Sequence, residues 1–182
     1  MCGNPHRNGA QRASIAREPR PDRPPSVFEM TIIKQFNDHA CFLACLESFL
    51  ADQGAQVTQR QICEMFPECC DCGKLTEGTF QLTNQECLKR VGQKYGFVAN
   101  WVLALPETIA AGETIFVIPT NMHGQGSTHC VRFHRHLSHT EIEVMDPNLN
   151  RHNDNLEYDR WPHDNLGHWK CNLLKLKKIH QE

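Results

Sequence analysis

The stretch QFNDHACFLACLESFL, Gln35 to Leu50, places a polar, turn-like run directly before a nearly unbroken apolar run. The apolar residues have the spacing of an α-helix with a wide buried face. A helix that begins at Cys41 places this thiol in its first turn, where free N–H groups and the helix dipole stabilise a thiolate. Cys45 lies one turn later inside the apolar face, and we expect it to be an inert core residue. Cys41 taken alone is more often a core residue than a nucleophile, so its role depends on the rest of the chain.

Length and composition predict one main globular domain. Of the 182 residues, 40% are hydrophobic and 22% charged, which is ordinary for a domain with one sizeable core. A formal net charge of −2 gives no reason to expect nucleic acid or an acidic membrane surface as a partner. We find no membrane span and no apolar region of a Sec signal. We therefore expect a cytoplasmic protein, or one delivered into a host cytosol by a non-Sec route.

The first 26 residues have a different composition from the rest. They hold five of the ten prolines and five arginines, with few residues that could be buried. Such a segment cannot bury enough apolar surface to offset its chain entropy. We expect residues 1–26 to be a disordered arm and residues 27–182 to form the domain. A solvated tail is the simplest interpretation of the arm, and a targeting, docking or autoprocessed segment is the alternative.

Helix signals precede strand signals along the chain. Two capping boxes, Thr58 with Gln61 and Thr83 with Glu86, mark helix starts, and the second helix ends at Gly96. From residue 97 onward the pattern changes to short β-type runs: FVANWVLAL, ETIFVIPT, HCVRFHR, TEIEVMD and WKCNLLKLKKI. Helices first and a sheet second predict an α+β fold.

The segment from residue 128 to 147 has the pattern of a β-hairpin. A register that pairs Phe133 with Ile142, so that paired residue numbers sum to 275, gives apolar cross-strand pairs along one face. Continued without slip, the same register sets His129 opposite Asp146 on that face. The hydrophobic pattern therefore aligns an imidazole with a carboxylate.

Cys41, His129 and Asp146 together supply the parts of a Cys/His/Asp nucleophilic site. Asp146 would hold one imidazole nitrogen, while His129 shares the proton of the Cys41 thiol. Gln35 lies six residues before Cys41 and could set its side-chain amide beside the Cys41 N–H as an oxyanion hole. This chemistry needs neither a metal nor a cofactor, and we expect none.

These residues resemble a known family. Q-x5-C-x2-A-C, followed by GFVANW, TIFVIPT, H-C-V-R-F and EVMDP, is similar to the papain-like cysteine peptidases, most closely the bacterial double-glycine leader peptidase branch, over roughly residues 31 to 150. The resemblance implies an N-terminal helical part whose central helix carries the nucleophile, packed on a C-terminal antiparallel sheet. It also implies four roles, namely oxyanion-hole residue, nucleophile, general base and orienter, for Gln35, Cys41, His129 and Asp146.

The predicted function is hydrolysis of a peptide or isopeptide bond through a thioester acyl-enzyme, as in a secreted bacterial effector or a leader-processing peptidase. The same site could instead serve transamidation, deamidation or peptidyl transfer, which differ in the acceptor. The family usually has an acidic residue before the nucleophile and a small one after it, whereas Ala40 and Phe42 stand there in this chain. That departure bears on subclass and substrate. We expect a protein or peptide substrate, and the sequence leaves the oligomeric state open.

Other residues compete for the roles of base and orienter. Several histidines are assigned to loops or to the opposite face of the hairpin: His123, His134, His136 and His139. Only His129 is aligned with an acid. Asn148 and Asn150 are alternatives to Asp146, because papain-type sites can use Asn, but both lie beyond the predicted strand.

Two further groups of residues are open to more than one interpretation. The run ICEMFPECCDC contains four cysteines: Cys63, Cys69, Cys70 and Cys72. The pair Cys69 and Cys72 has the spacing of half a zinc site, but a second pair is missing. We expect free thiols in a reducing compartment, with a zinc-stapled, non-catalytic binding module or a disulfide as alternatives. Near the C-terminus, a second group either lines a substrate groove or, more commonly, covers a sheet edge: Trp161, His163, His168 and Trp169.

Overall fold

The structure is a computed structural model that describes residues 29–103, 109–120, 127–148, 156–162 and 171–179. The predicted arm, His123, Asn150, His163, His168 and Trp169 lie outside the described residues. Three helices come first within these ranges: α1 (Cys41–Asp52), α2 (Gln59–Met65) and α3 (Gln85–Tyr95). Six strands follow there: β1 (Phe97–Val102), β2 (Thr114–Thr120), β3 (Ser127–His136), β4 (Glu141–Met145), β5 (Asp159–Pro162) and β6 (Asn172–Lys178).

The first two helices begin where the sequence predicts. α1 begins at Cys41, with Ala40 as its N-cap. α2 begins at the predicted capping box, in which the Thr58 hydroxyl accepts the N–H of Gln61 and the Gln61 side chain accepts the N–H of Thr58. These two reciprocal bonds satisfy N–H groups that a helix start otherwise leaves open.

The third helix begins one residue later than predicted. Its N-cap is Asn84 and not Thr83, and the Asn84 side chain accepts the N–H of Glu86. The prediction from a Thr/Glu capping box failed because asparagine caps a helix at least as well as threonine and stands next to it here. The predicted end is confirmed, since Gly96 closes the helix in the left-handed conformation at φ 73°.

The strands form one sheet in the order β1-β6-β2-β3-β4-β5, and every neighbouring pair is antiparallel. Every predicted β-type run contributes a strand. β5, of sequence DRWP, was not predicted because four residues that end in proline carry little strand signal. The helices-first order confirms the α+β class. No helix in the described part of the chain is long and apolar enough to cross a membrane.

Apolar clusters cover both faces of the sheet. Alternate residues of β2 show this, because Ile115 and Val117 face the helices whereas Phe116 lies in the cluster on the other face. The helical face holds most of α1, including Phe49, which is 1% exposed. Trp161 belongs to the cluster on the face away from the helices. It therefore covers the sheet, which is the commoner of the two interpretations of this residue. α1 is thus the central, buried helix of the domain.

The predicted hairpin register is wrong by two residues. β3 pairs Phe133 with Val144 and Arg132 with Met145, so paired numbers sum to 277 and not 275. The apolar pattern allowed the error because a shift of two residues leaves every side chain on its own face. For the same reason the error did not move His129 or Asp146 to opposite faces.

A β-bulge interrupts the same hairpin between Phe133 and Arg135. His134, at the bulge, is 1% exposed, and its Nδ1 lies 2.8 Å from Oε2 of Glu143. His136 instead shares a face with Phe133, and their rings are 5.0 Å apart. The prediction that both histidines point from the face opposite to Phe133 is therefore wrong for His136, because strict alternation makes no allowance for a bulge.

Cys69 and Cys87 form a disulfide that ties the segment before α3 to that helix, with a Cα–Cα distance of 5.4 Å. Cys69 is therefore not a free thiol and is not available to share a metal ion with Cys72. The sequence could not reveal this pairing, because cysteine spacing alone does not fix connectivity. Among the described residues, no group of three or more His, Cys, Asp or Glu side chains is arranged to hold a metal ion.

Candidate active site

The first turn of α1 places Cys41 where a thiolate is stabilised. The Cys41 side chain is largely buried, with 8% of the residue exposed. The first hydrogen bond within the helix runs from the Ala44 N–H to the Ala40 carbonyl oxygen at 2.9 Å. No side chain of the described residues caps this helix start. The N–H groups of the first turn and the helix dipole therefore act on Cys41.

His129 and Asp146 lie side by side at the end of the sheet that faces this helix start. Nε2 of His129 is 3.0 Å from Oδ1 of Asp146, and their side chains are 24% and 15% exposed. The two are diagonal neighbours and not ladder partners, given the observed register. The same Oδ1 accepts the backbone N–H of Asn148 at 2.8 Å. The carboxylate is thus held from two sides.

Cys41 and His129 are close enough for each to shift the pKa of the other. A hydrogen bond from the Cys130 thiol lowers the pKa of Cys41, burial raises it, and His129 lowers it again, so that the pKa lies well below its ordinary value. Burial also lowers the pKa of His129, but hydrogen bonds to Asp146 and Cys41 outweigh burial and raise it to about 10. These directions describe a thiolate beside an imidazolium at neutral pH.

Cys45, the rival nucleophile, has the opposite character. It is fully buried, and its Sγ donates to the carbonyl oxygen of Cys130 at 3.6 Å. Burial and the nearby Cys41 charge raise the pKa of Cys45 well above its ordinary value. A protonated thiol without access to solvent is a poor nucleophile.

Gln35 lies beside the segment that carries Asp146. Only 4% of Gln35 is exposed, and its backbone N–H donates to the carbonyl oxygen of Pro147 at 3.3 Å. Its Nε2 donates to Oδ1 of Asn148 at 3.4 Å, whereas its buried Oε1 has no hydrogen-bond partner among the described residues. Residues 146–148 therefore contact both the His129 imidazole and Gln35, the predicted oxyanion-hole residue.

A buried polar pair that the sequence did not reveal holds the chain before Cys41. Gln59 Oε1 accepts the N–H of Phe36 at 3.1 Å, and Gln59 Nε2 donates to the carbonyl oxygen of Lys34 at 2.8 Å. Glu47, on α1, accepts from both the N–H and the Nε2 of Gln59, at 3.1 and 2.9 Å. A glutamate inside the apolar run of α1 was the available signal. This pair fixes residues 34–36 against the helix that carries Cys41.

The segment between α2 and α3 also touches the approach to Cys41. Gly78 has a φ of 92°, and a Cβ placed there would lie 3.0 Å from both Cβ of Ala40 and the Phe36 ring. Asn37 donates its side-chain amide to the Glu77 carbonyl oxygen at 2.5 Å. The residue immediately before the nucleophile is therefore packed tightly against a backbone that only glycine accommodates without strain.

The structure brings together Gln35, Cys41, His129 and Asp146, which the sequence separates by up to 111 positions. It also adds Cys130, which lowers the pKa of Cys41 and which the sequence did not single out. No family model and no curated protein matches this sequence. The peptidase domain of Streptococcus ComA, described as a bi-functional ABC transporter involved in a quorum sensing pathway, is a similar solved structure. That match has a TM-score of 0.59 at 14% identity and covers 84% of this chain and all of the other.

The chain therefore has a papain-like fold, in which a buried helix that begins with a cysteine packs on an antiparallel sheet that carries the histidine. The resemblance noted from the sequence, to the double-glycine leader peptidase branch, is confirmed at the level of the fold. The roles of the four site residues are a proposal.

Proposed function

We propose that this chain is a cysteine peptidase that hydrolyses a peptide or isopeptide bond through a thioester acyl-enzyme. One observation carries the proposal: His129 Nε2 lies 3.0 Å from Oδ1 of Asp146, and His129 is close enough to Cys41 to lower the pKa of its thiol. Three such groups in a line are what a thiol nucleophile requires for activation. Because Nε2 is engaged by the carboxylate, Nδ1 is the nitrogen that exchanges the proton with Cys41.

The first half of the reaction acylates Cys41. The thiolate attacks the carbonyl carbon of the scissile bond, and negative charge develops on the carbonyl oxygen. The Cys41 N–H and an N–H of the Gln35 side-chain amide donate to this oxyanion. Gln35 Nε2 carries two hydrogens and donates one to Oδ1 of Asn148, so the second is available for the oxyanion. The His129 imidazolium then protonates the leaving amine, and a thioester remains on Cys41.

The second half of the reaction releases the acid. Neutral His129 accepts a proton from water, which attacks the thioester carbonyl carbon, and the oxyanion forms again in the same place. Collapse of the intermediate breaks the C–S bond and expels the Cys41 thiolate, which again lies beside the imidazolium formed when the water attacked. Asp146 keeps the imidazole oriented throughout and stabilises its positive charge.

The substrate class we favour is a peptide with a leader that ends in two glycines. The reasons are the resemblance of the motifs between Gln35 and Asp146 and the fold shared with a transporter's peptidase domain. The partly exposed side chains of His129 and Asp146 leave the reacting groups open to a bound chain. A secreted effector that cuts a host protein is the other context in which the same site would operate.

The test is cleavage of double-glycine leader peptides and of a mixed peptide library, with products identified by mass spectrometry. We expect the wild-type protein to cut a bond, and Cys41→Ala to bind the substrate without cutting it. Cys45→Ala is the matched control, because it removes a buried thiol from the same helix one turn later. Cleavage that survives in Cys41→Ala, or that is lost equally in folded Cys45→Ala, would refute the proposal.

Water labelled with heavy oxygen separates hydrolysis from the alternative reactions. Hydrolysis places the label in the new carboxyl terminus. Transamidation or peptidyl transfer joins the acyl group to an added amine instead, and deamidation converts a glutamine side chain without cutting the chain. Label at a new C-terminus is the result we expect.

A further inference from the structure

Cys130 places a second thiol close to Cys41, the proposed nucleophile. It follows His129 in β3 and is fully buried on the face that packs against α1. The Cys41 Sγ lies 4.0 Å from the carbonyl oxygen of Thr128, and the Cys45 Sγ lies 3.6 Å from that of Cys130, so the helix start crosses the strand at this point. The two side chains are close enough for each thiol to shift the pKa of the other.

We propose that Cys130 is a resolving cysteine: when a peroxide oxidises Cys41, the two residues form a reversible disulfide that switches the site off and protects it from irreversible oxidation. The inference deepens the function proposed above, because it concerns regulation of the same site, but the disulfide chemistry does not depend on peptide cleavage.

The chemistry has two steps. In the first, the Cys41 thiolate attacks one oxygen of a peroxide, the O–O bond breaks, and Cys41 becomes a sulfenic acid while the peroxide is reduced to an alcohol or water. The proton that the departing oxygen needs comes from the His129 imidazolium. In the second, the Cys130 sulfur attacks the Cys41 sulfur, the S–O bond breaks, and one water leaves with the Cys130 proton. Two electrons pass from the two thiols to the peroxide.

The charges on the two thiols support this order of events. The hydrogen bond to Cys41, together with burial, raises the pKa of Cys130 well above its ordinary value. Cys41 therefore carries the negative charge and reacts first, while Cys130 holds its proton. Oxidation turns Cys41 into a neutral sulfenic acid and removes the main reason for the high pKa of Cys130. Cys130 becomes easier to deprotonate once its partner is ready to be attacked.

Cys45 is a poor competitor for this role. It lies four positions after Cys41 on the same helix, where Cβ atoms are about 5–6 Å apart. A disulfide requires a Cβ–Cβ separation of about 3.5–4.5 Å. Among the described residues, the remaining free thiols on the helical face lie in α2 (Cys63) or shortly after it (Cys70 and Cys72), and Cys171 belongs to the cluster on the opposite face of the sheet.

The test starts with the reduced full-length wild-type protein. After removal of the reductant, an equimolar amount of hydrogen peroxide is added, free thiols are blocked with iodoacetamide, and the digest is mapped by mass spectrometry. We expect a peptide pair linked through Cys41 and Cys130, and full return of Cys41 labelling after dithiothreitol. Sulfinic acid at Cys41 with Cys130 still free, or a link from Cys41 to any other cysteine, would overturn the inference.

Two variants extend the test. In Cys130→Ala, the same peroxide dose should carry Cys41 on to sulfinic acid, so that dithiothreitol no longer restores labelling. Cys45→Ala should recover like the wild type. Because the readout is alkylation and mass, a protein that forms the disulfide but cuts no peptide refutes only the proposed function. A peptidase without the link refutes only the resolving role, and the wild-type mapping stands even if Cys130→Ala fails to fold.

Discussion

Nε2 of His129 lies 3.0 Å from Oδ1 of Asp146. Since the backbone N–H of Asn148 donates to the same oxygen, the carboxylate cannot turn away from the ring without losing a second bond. A fixed carboxylate favours the charged imidazolium. The pH behaviour of the site should therefore depend on this pair.

The first prediction concerns the pH dependence of alkylation at Cys41. For an ordinary thiol, the thiolate fraction falls about tenfold for each pH unit below its pKa of about 8.5. Because the pKa of Cys41 is lowered, its rate of reaction with iodoacetamide should fall less steeply than this between about pH 8 and pH 6. Brief labelling followed by peptide mapping measures the rates. The denatured protein is the control, in which all thiols should regain the ordinary slope.

Peptide cleavage, unlike alkylation, should be lost at high pH, and we call the pH of this loss its alkaline limit. The imidazolium is present below the raised pKa of His129 and is lost as the pH passes through about 10, which removes the proton donor for the leaving amine. Preferential labelling of Cys45, or an ordinary pH slope for Cys41 in the folded protein, would contradict the assignment of the nucleophile.

The second prediction is that Asp146→Asn folds normally but lowers kcat by about 10- to 100-fold, less than the roughly 10⁴-fold loss in a serine-type triad, because papain-type sites can use Asn. Removing the negative charge should also move the alkaline limit of cleavage below the value for the wild type, which a structural defect alone would not do. Cys41→Ala should have no activity, because no acyl-enzyme can form. Full activity in Asp146→Asn together with its loss in Asn148→Ala would instead make Asn148 the orienter.

The third prediction concerns a buried ion pair that joins the end of α1 to β3. Nη1 of Arg132 lies 2.7 Å from Oδ2 of Asp52, with side-chain exposures of 1% and 2%, and Nε of Arg132 donates to the Gly112 carbonyl oxygen at 2.8 Å. Asp52→Ala leaves the guanidinium charge buried and unbalanced, so the free energy of unfolding should fall by about 3–5 kcal/mol. Urea denaturation measures the loss.

Two controls separate the effect of the buried charge from that of packing. In the first, Lys74 of the exposed pair with Asp71 is replaced by alanine, which should change the stability little. Replacing both Arg132 and Asp52 by apolar residues should recover part of the loss caused by Asp52→Ala. A double variant less stable than Asp52→Ala would show that packing by Arg132, and not its charge, dominates.

The fourth prediction concerns the disulfide between Cys69 and Cys87, which are separated by 18 positions. A loop of this size is stabilised by about 3 kcal/mol in the chain-entropy account, so reduction should lower the Tm. The variant with serine at both positions should melt at the lower temperature whether or not a reductant is present. If a reductant shifts the Tm of that variant equally, another pair of cysteines is responsible.

Local signals predicted the elements, but the contacts between them were beyond the sequence. The capping box at Thr58 and the helix start at Cys41 depend on neighbouring residues, so they could be read directly. The hairpin register could not, because the apolar pattern fixes only which face a residue occupies. Cys130 approaches Cys41 where α1 crosses β3, and nothing in the spacing of the two residues along the chain indicates that they are neighbours.

Through Gly78, the cysteine-containing segment between α2 and α3 affects the position of the nucleophile. A side chain there would be strained at φ 92° and would press on Ala40 and Phe36, which lead into the helix start. We therefore expect the Gly78→Ala variant to fold at low temperature. At higher temperature, the strain should displace Cys41 from its position beside His129. A geneticist who needs a temperature-sensitive allele of this protein has a position for it, outside the set of residues that do the chemistry.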